Sequence, residues 1–323
     1  MRSLFPAALL LAALALPAAA SAPPEPVLPA AHPLSGTILD ARTGAAIEPA
    51  EVAARIGAAD LVLLGERHGN PDHHALQAWA TGIAAAAAPE GRVVLEMVAR
   101  ADDAPLVRAR APEDVAGLGE ALAWEARGWP EFALYAPILD AALGAGWRLS
   151  GGDVSREPLM AVARDGLAAL DSEMRAALSL DAPLAAQEQA RLSRAIALGH
   201  CDLLPAERIP PMADAQRLRD ATLADALLAE DGPAVLIAGA LNVDRGMGVP
   251  AYLARRAPER SVLAIAFVEI GADGPLPEES VAGFGSPQAA FDIVWLTGAP
   301  AREDPCLALA ERFGRSGASS REP

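Results

Sequence analysis

The chain has 323 residues and a formal net charge of −16, and all 26 of its basic side chains are Arg. That balance argues against binding a phosphate backbone, which needs basic patches, so no nucleic-acid partner is expected. Past the N-terminus no run of 18 apolar residues occurs, so no membrane span is expected.

Residues 1–20 read as a secretory signal peptide. Arg2 supplies the positive charge, and 7–16 form an apolar core too short to cross a bilayer. Small residues precede a cut after Ala20, and no Cys stands near it to carry a lipid anchor. The expected location is therefore periplasmic or secreted. Residues 21–50 are Pro-rich at their start and expected to be extended. The remaining chain is long enough for one large core, or for a core and a second lobe.

Apolar runs at 61–64, 93–97, 147–150, 234–238, 262–268 and 293–296 read as buried strands, and helical patterns separate most of them. Alternation of this kind predicts an α/β fold, a mainly parallel sheet flanked by helices. Asn70-Pro71-Asp72 starts a helix: Asn70 as cap, Pro71 at the first helical position, Asp72 at the positive end of the dipole. Helices are predicted over 131–143, with Pro137 inside, over 155–170, and over 210–230. The interval 99–231 is mostly helical and is expected to form a lid or second lobe on a domain spanning 51–314. Residues 315–323 are polar and expected to fray.

The chemistry concentrates at the carboxyl ends of the predicted strands, where open α/β sheets bind ligands. Glu66 and His68 follow the first run, and His73 and His74 lie in the next helix. Three of the five histidines thus fall within seven residues. The cluster reads as a binding or catalytic site; its structural alternative is a Glu–His pair fixing a loop, with His74 facing solvent. Glu96 lies near the end of the second run, as a site residue or a carboxylate paired with an Arg, and Asp153 follows the third, as a site residue or a helix cap. Gly239 to Arg245 follow the fourth. Trp129, Phe132 and Tyr135 recur at helical spacing, either as an aromatic stripe or as ordinary core. His200 adjoins Cys201. An exported protein with two cysteines, Cys201 and Cys306, is expected to join them in one disulfide; two buried thiols are the alternative.

Seven pieces in order carry a resemblance: LLGERHGNPDHHALQ (63–77), VVLEM (93–97), GWPEFALYAPIL (128–139), GHCDLLP (199–205), MADAQRLRDATLADALL (212–228), LIAGALNVDRGMGVPAYL (236–253) and DIVWLTGAPAREDPC (292–306). Together they resemble the ChaN-like haem-binding uptake family, within the grouping that includes Tiki proteases and erythromycin esterases. The resemblance implies an exported haem-binding protein linked to iron uptake. Its implied partners are haem and an outer-membrane or periplasmic uptake component, with a homodimer as a further assembly to test. Haem needs an axial donor, and His68, His73, His74, His200 and Tyr135 are the candidates. Arg217, Arg219 and Arg245 are candidate partners for propionates. The alternative is a divalent-metal hydrolase with Glu66 as general base and His68 as metal ligand. Against it, the family's Gly-x-x-His element reads Gly239-Ala240-Leu241-Asn242, and Asn242 is a poor ligand for a transition metal. A scaffold that has lost such a ligand is the third reading. No Gly-x-Ser-x-Gly nucleophile pattern surrounds Ser286.

Overall fold

A computed structural model describes residues 22–311 except 273, 275, 305 and 308. The expected signal peptide at 1–20 and the tail at 315–323 lie outside the described residues. The strands are β1 (Ile38–Asp40), β2 (Leu61–Glu66), β3 (Arg92–Ala99), β4 (Arg148–Asp153), β5 (Ala234–Gly239), β6 (Val262–Ile270) and β7 (Ile293–Gly298). The helices are α1 (Pro49–Ala58), α2 (Pro71–Ala87), α3 (Ala104–Arg108), α4 (Leu118–Ala121), α5 (Phe132–Gly144), α6 (Arg156–Asp165), α7 (Ser172–Ala177), α8 (Ala186–Gly199), α9 (Ile209–Leu228) and α10 (Val249–Arg256). Short 3-10 turns fill several of the connections.

The strands form one sheet in the order β1-β7-β6-β2-β5-β3-β4. Every pairing is parallel except β1 with β7. This is the predicted α/β class, and each of the six predicted runs is a strand. The seventh, β1, was not legible: three residues at an edge bury too little apolar surface to leave a pattern.

Side chains alternate across each strand, so one sheet builds two cores. Val62 and Leu64 of β2 join Val235, Ile237, Phe267 and Trp295 under α1, α2 and α5. Leu61 and Leu63 join Leu236, Ala238, Val268 and Leu296 under α6, α9 and α10. The helix-rich interval therefore divides between the two faces. Its α5 packs on the first, α6 and α9 pack on the second, and the end of α8 reaches the carboxyl edge.

Local chemistry sets the boundaries that matter. Asn70 caps α2, its side-chain oxygen accepting from Asp72 N at 2.9 Å and His73 N at 3.3 Å. The amide nitrogen of Asn70 donates to Glu269 Oε1 at 2.8 Å and to Gly298 O at 3.0 Å, tying α2 to β6 and β7. Gly166, at φ +73°, ends α6 at Asp165, five residues earlier than the pattern predicts. Gly65 allows the turn after β5 to press onto β2: a Cβ there would lie 2.3 Å from Val243 Cγ2 and 3.0 Å from Ala240 Cα.

The two cysteines form a disulfide between the end of α8 and the C-terminal segment, 105 residues apart. Cys201 and Asp202 both adopt left-handed backbone, at φ +59° and +55°. Neither is glycine, and this turn aims Cys201 at Cys306. Among the described residues no helix is long and apolar enough to cross a membrane. Replacing Cys201 and Cys306 together by Ser should cost up to about 4 kcal/mol, read as a lower urea midpoint, and should speed proteolysis within 299–311. An unchanged midpoint with unchanged proteolysis would mean that packing alone holds the segment.

Candidate functional site

Strands β2 and β5 are neighbours whose following connections leave toward opposite faces. α2 joins the first core and α10 the second. Divergence of this kind opens a crevice at the carboxyl ends of the strands, the place where α/β sheets bind ligands. Here it leads to a cavity of about 870 Å³ lined by Glu66, Arg67, His68, the Gly239–Asn242 turn, apolar side chains that include Phe267 and Phe291, and the Cys201–Cys306 pair. The volume lies within the roughly 300–1,000 Å³ of small-molecule and cofactor pockets.

Glu66 is the last residue of β2 and is 2% exposed. Its Oε1 accepts from Tyr135 Oη at 2.9 Å and lies 2.6 Å from His68 Nδ1. Its Oε2 lies 2.9 Å from His74 Nδ1. Burial alone would raise the carboxyl pKa, but the contacts with His68 and His74 outweigh it and bring the value down to about 2. Glu66 is therefore an ionised carboxylate in the protein interior.

The three histidines near it do different things. His74 is 1% exposed, and Gly69 N–H donates to its Nε2 at 3.3 Å. Its proton is thereby assigned to Nδ1, which faces Glu66 and, at 3.1 Å, Gln77 Oε1. His73 is fully buried against β6 and β7. Arg67 N–H donates to its Nδ1 at 2.9 Å, and its Nε2 donates to Thr297 Oγ1 at 2.8 Å. Burial drives its pKa down to about 3, so it stays neutral and pins α2 to β7. His68 alone lines the cavity. Its side chain is 31% exposed, its ring meets the Trp129 ring at 5.1 Å, and its Nε2 lies 3.9 Å from Glu96 Oε2. Burial lowers the His68 pKa, but the hydrogen bond to Glu66 and the charges of Glu96 and Glu66 raise it above the ordinary value.

Glu96 stands at the same edge but serves the opposite face. Its Oε2 accepts from Gly239 N at 2.7 Å, and its Oε1 lies 3.1 Å from Arg219 Nη2. Arg219, on α9, also holds Asp153 through Nε at 3.2 Å and Nη2 at 2.7 Å. Asn242 donates through Nδ2 to Asp220 Oδ1 at 2.9 Å. Asp220 is 1% exposed, and burial pushes its pKa well up despite hydrogen bonds from Gln216 and Asn242. A Cβ on Gly239 would sit 3.4 Å from both Asn242 Oδ1 and His68 Nε2, and 3.7 Å from Glu96 Oε2. The strand end is thus the hub around which these groups close.

The structure brings Glu66, His68, His74, Tyr135, Glu96 and Asn242 together, with Glu66, His68 and Asn242 on the cavity wall itself. The others stand apart. His200 closes α8, its Nδ1 bonded to Ile196 O at 2.8 Å, while its neighbours Gly199 and Cys201 face the cavity. Arg245 pairs with Asp292 at 2.6 Å. Arg217 is buried, donating to the carbonyls of Leu180 and Ala182 at 2.9 Å. Phe132 and Tyr135 pack around Trp124, so that part of the aromatic stripe belongs to the core. Two contributors were not legible: Arg67, which stood unused inside the opening motif, and Asp220, a single polar residue on a long helix. Among the described residues no group of three or more His, Cys, Asp or Glu is arranged to hold a metal ion. The carboxylates of Glu96 and Asp153 already share an internal cation, Arg219.

A doubly covered parallel sheet with a ligand-sized cavity at the divergence of its central strands defines an α/β protein with an edge site. Residues 52–253 match the family described as haem-binding uptake, Tiki superfamily, ChaN, and the chain belongs to that family. Its fold is similar to that of ChaN of Campylobacter jejuni, solved in a study of cofacial haem binding. The TM-score is 0.62 at 19% identity, over 80% of this chain and 95% of that one. An erythromycin esterase mutant in its open conformation aligns with a TM-score of 0.45 at 15% identity, over 80% of this chain and 95% of that one. No curated protein sequence matches the chain.

Burial of neutral His73 predicts a pH dependence of folding. Its folded pKa is depressed, so its contribution is complete above the ordinary 6.5 and is lost as the pH falls toward about 3. Glu66 follows in a lower window, between its ordinary 4.5 and about 2. His68 has the opposite sign: its contribution is present below 6.5 and lost as the pH rises through its raised value. Replacing His73 by Gln should therefore flatten the stability profile between pH 6.5 and 4.5, measured as the urea midpoint against pH. A profile parallel to wild type in that window would refute the assignment.

Proposed function

We propose that this protein is exported, binds haem in the carboxyl-edge cavity and serves haem or iron uptake. The observation that carries the reading is the setting of His68. One ring nitrogen is held by a buried carboxylate, and the residue lines a large cavity. A metal-ligating histidine almost always donates its second ring N–H to a carboxylate or carbonyl, which fixes the tautomer and raises the basicity of the ligating nitrogen. Glu66 does this at 2.6 Å.

The donor set and the walls fit the group. Imidazole is a common axial donor to haem iron, and His68 is the histidine on the cavity wall. Leu198, Leu241, Met247, Phe267, Phe291 and Leu309 offer apolar surface to a flat ring. The relative from Campylobacter jejuni is described as binding haem, which supports the same ligand here. When bound, haem would supply its iron as the coordinating centre. Glu66 orients His68, Tyr135 and His74 hold Glu66, and the apolar walls would keep water from a bound ring. The disulfide at the wall suits an oxidising compartment, which supports export.

The metal-hydrolase reading has less support. The Asn242 amide is committed to Asp220, and Arg219 occupies the space between Glu96 and Asp153.

An absorbance titration of the purified protein with haemin tests the proposal. The expected result is a saturable Soret shift in wild type and in the control His32→Ala. In His68→Ala the affinity should fall about tenfold or more, a loss of at least about 1.4 kcal/mol. A wild-type protein with no saturable shift, or a His68→Ala protein that binds as wild type, would overturn the proposal.

A further inference from the structure

Resting on the haem reading above, we infer that Arg67 is the residue that recognises a carboxylate group of the ligand, at the mouth of the cavity. Arg67 lines the cavity and its side chain is 58% exposed. Among the described residues, its one ion pair runs from Nε to Glu269 Oε2 at 3.3 Å.

That pair leaves the guanidinium underused. Glu269 is already matched: Arg302 grips both its oxygens, at 2.5 and 2.6 Å, and Asn70 Nδ2 donates to it at 2.8 Å. Two arginines thus share one carboxylate, and the excess positive charge falls on the more exposed of them. Among the described residues the two terminal guanidinium nitrogens of Arg67 have no partner, and arginine uses such a pair for bidentate contact with a carboxylate.

The other acids on the wall are matched inside the fold. Glu66 has Tyr135, His68 and His74. Asp244 has Arg191 and the backbone N–H groups of Gly246 and Met247. The cavity therefore has an apolar body, an imidazole at its floor and a single underused guanidinium at its rim. A planar apolar ligand carrying both a metal centre and a carboxylate satisfies all three together, with the carboxylate directed outward.

The three arginines named from the sequence as propionate partners are engaged elsewhere. Arg217 is spent on backbone carbonyls, Arg219 on Asp153 and Glu96, and Arg245 on Asp292. Arg67 is also placed by structure rather than chance. Its backbone N–H donates to His73 Nδ1, which fixes the loop residue between Glu66 and His68.

The test compares haemin with haemin dimethyl ester, which keeps the iron and the ring but has no free carboxylate. Both are titrated into wild type, Arg67→Gln and Arg67→Lys, and His68→Ala is the reference for loss at the iron. Wild type should prefer haemin by about tenfold, the scale of a charge-assisted hydrogen bond. Arg67→Gln should lose that preference while binding the ester as wild type does, and Arg67→Lys should restore part of it. His68→Ala should weaken both ligands. Equal loss for both ligands in Arg67→Gln, or an undiminished preference for haemin, would overturn the assignment and leave haem binding intact. Failure of wild type to bind either porphyrin would overturn the haem reading, and this assignment with it.

Discussion

A buried ionised carboxylate is the constraint from which the site is organised. An unpaired charge in the interior is costly, and it persists only where fixed donors replace the water it has lost. Glu66 draws those donors from separate elements: Tyr135 from α5, His74 from α2 and His68 from the loop between β2 and α2. Each donor is thereby oriented as well. The same bonds that stabilise the anion set the ring of His68, which lines the cavity. Structural cost and functional geometry are consequences of one group.

The second organising feature is the parity of the strands. Glu66 shares its face with Val62 and Leu64, and Glu96 shares the other with Val94. The two acids stand at one edge yet are served by different helices, and His68 spans them. Gly239 lies at this convergence: a Cβ there would come into ordinary contact with His68, Asn242 and Glu96. On the second face, Arg219 takes the position of a counter-ion between the carboxylates of Glu96 and Asp153. Charge across the site is consequently graded, from balanced acids at the floor to a guanidinium surplus at the rim.

The disulfide links this edge to the end of the described chain. It brings the C-terminal segment against the end of α8, so that Cys306 and Leu309 complete a wall begun by Leu198 and Gly199. The helix-rich interval contributes to the site in the same way. Most of it covers the sheet, and only its α8 end borders the cavity.

Much of this was determined by the sequence alone. Strand positions were legible because a strand buried on both faces must be apolar throughout, and α2 was legible because Asn70-Pro71-Asp72 satisfies a helix start locally. The edge location of Glu66, His68 and Glu96 followed from the same local rules, since each comes at the end of such a run. What only the tertiary structure decided was which polar groups meet. Tyr135 reaches Glu66 across 69 residues, and Glu96 reaches the backbone of Gly239 across 143. Neither pairing leaves a periodic trace, because a hydrogen bond between distant elements depends on how their helices and strands stack. The same reason separates His73 from His68: both belong to one short motif, but the turn of α2 buries the first against Thr297 and leaves the second at the cavity. Spacing could cluster the histidines; only packing could assign each its neighbour.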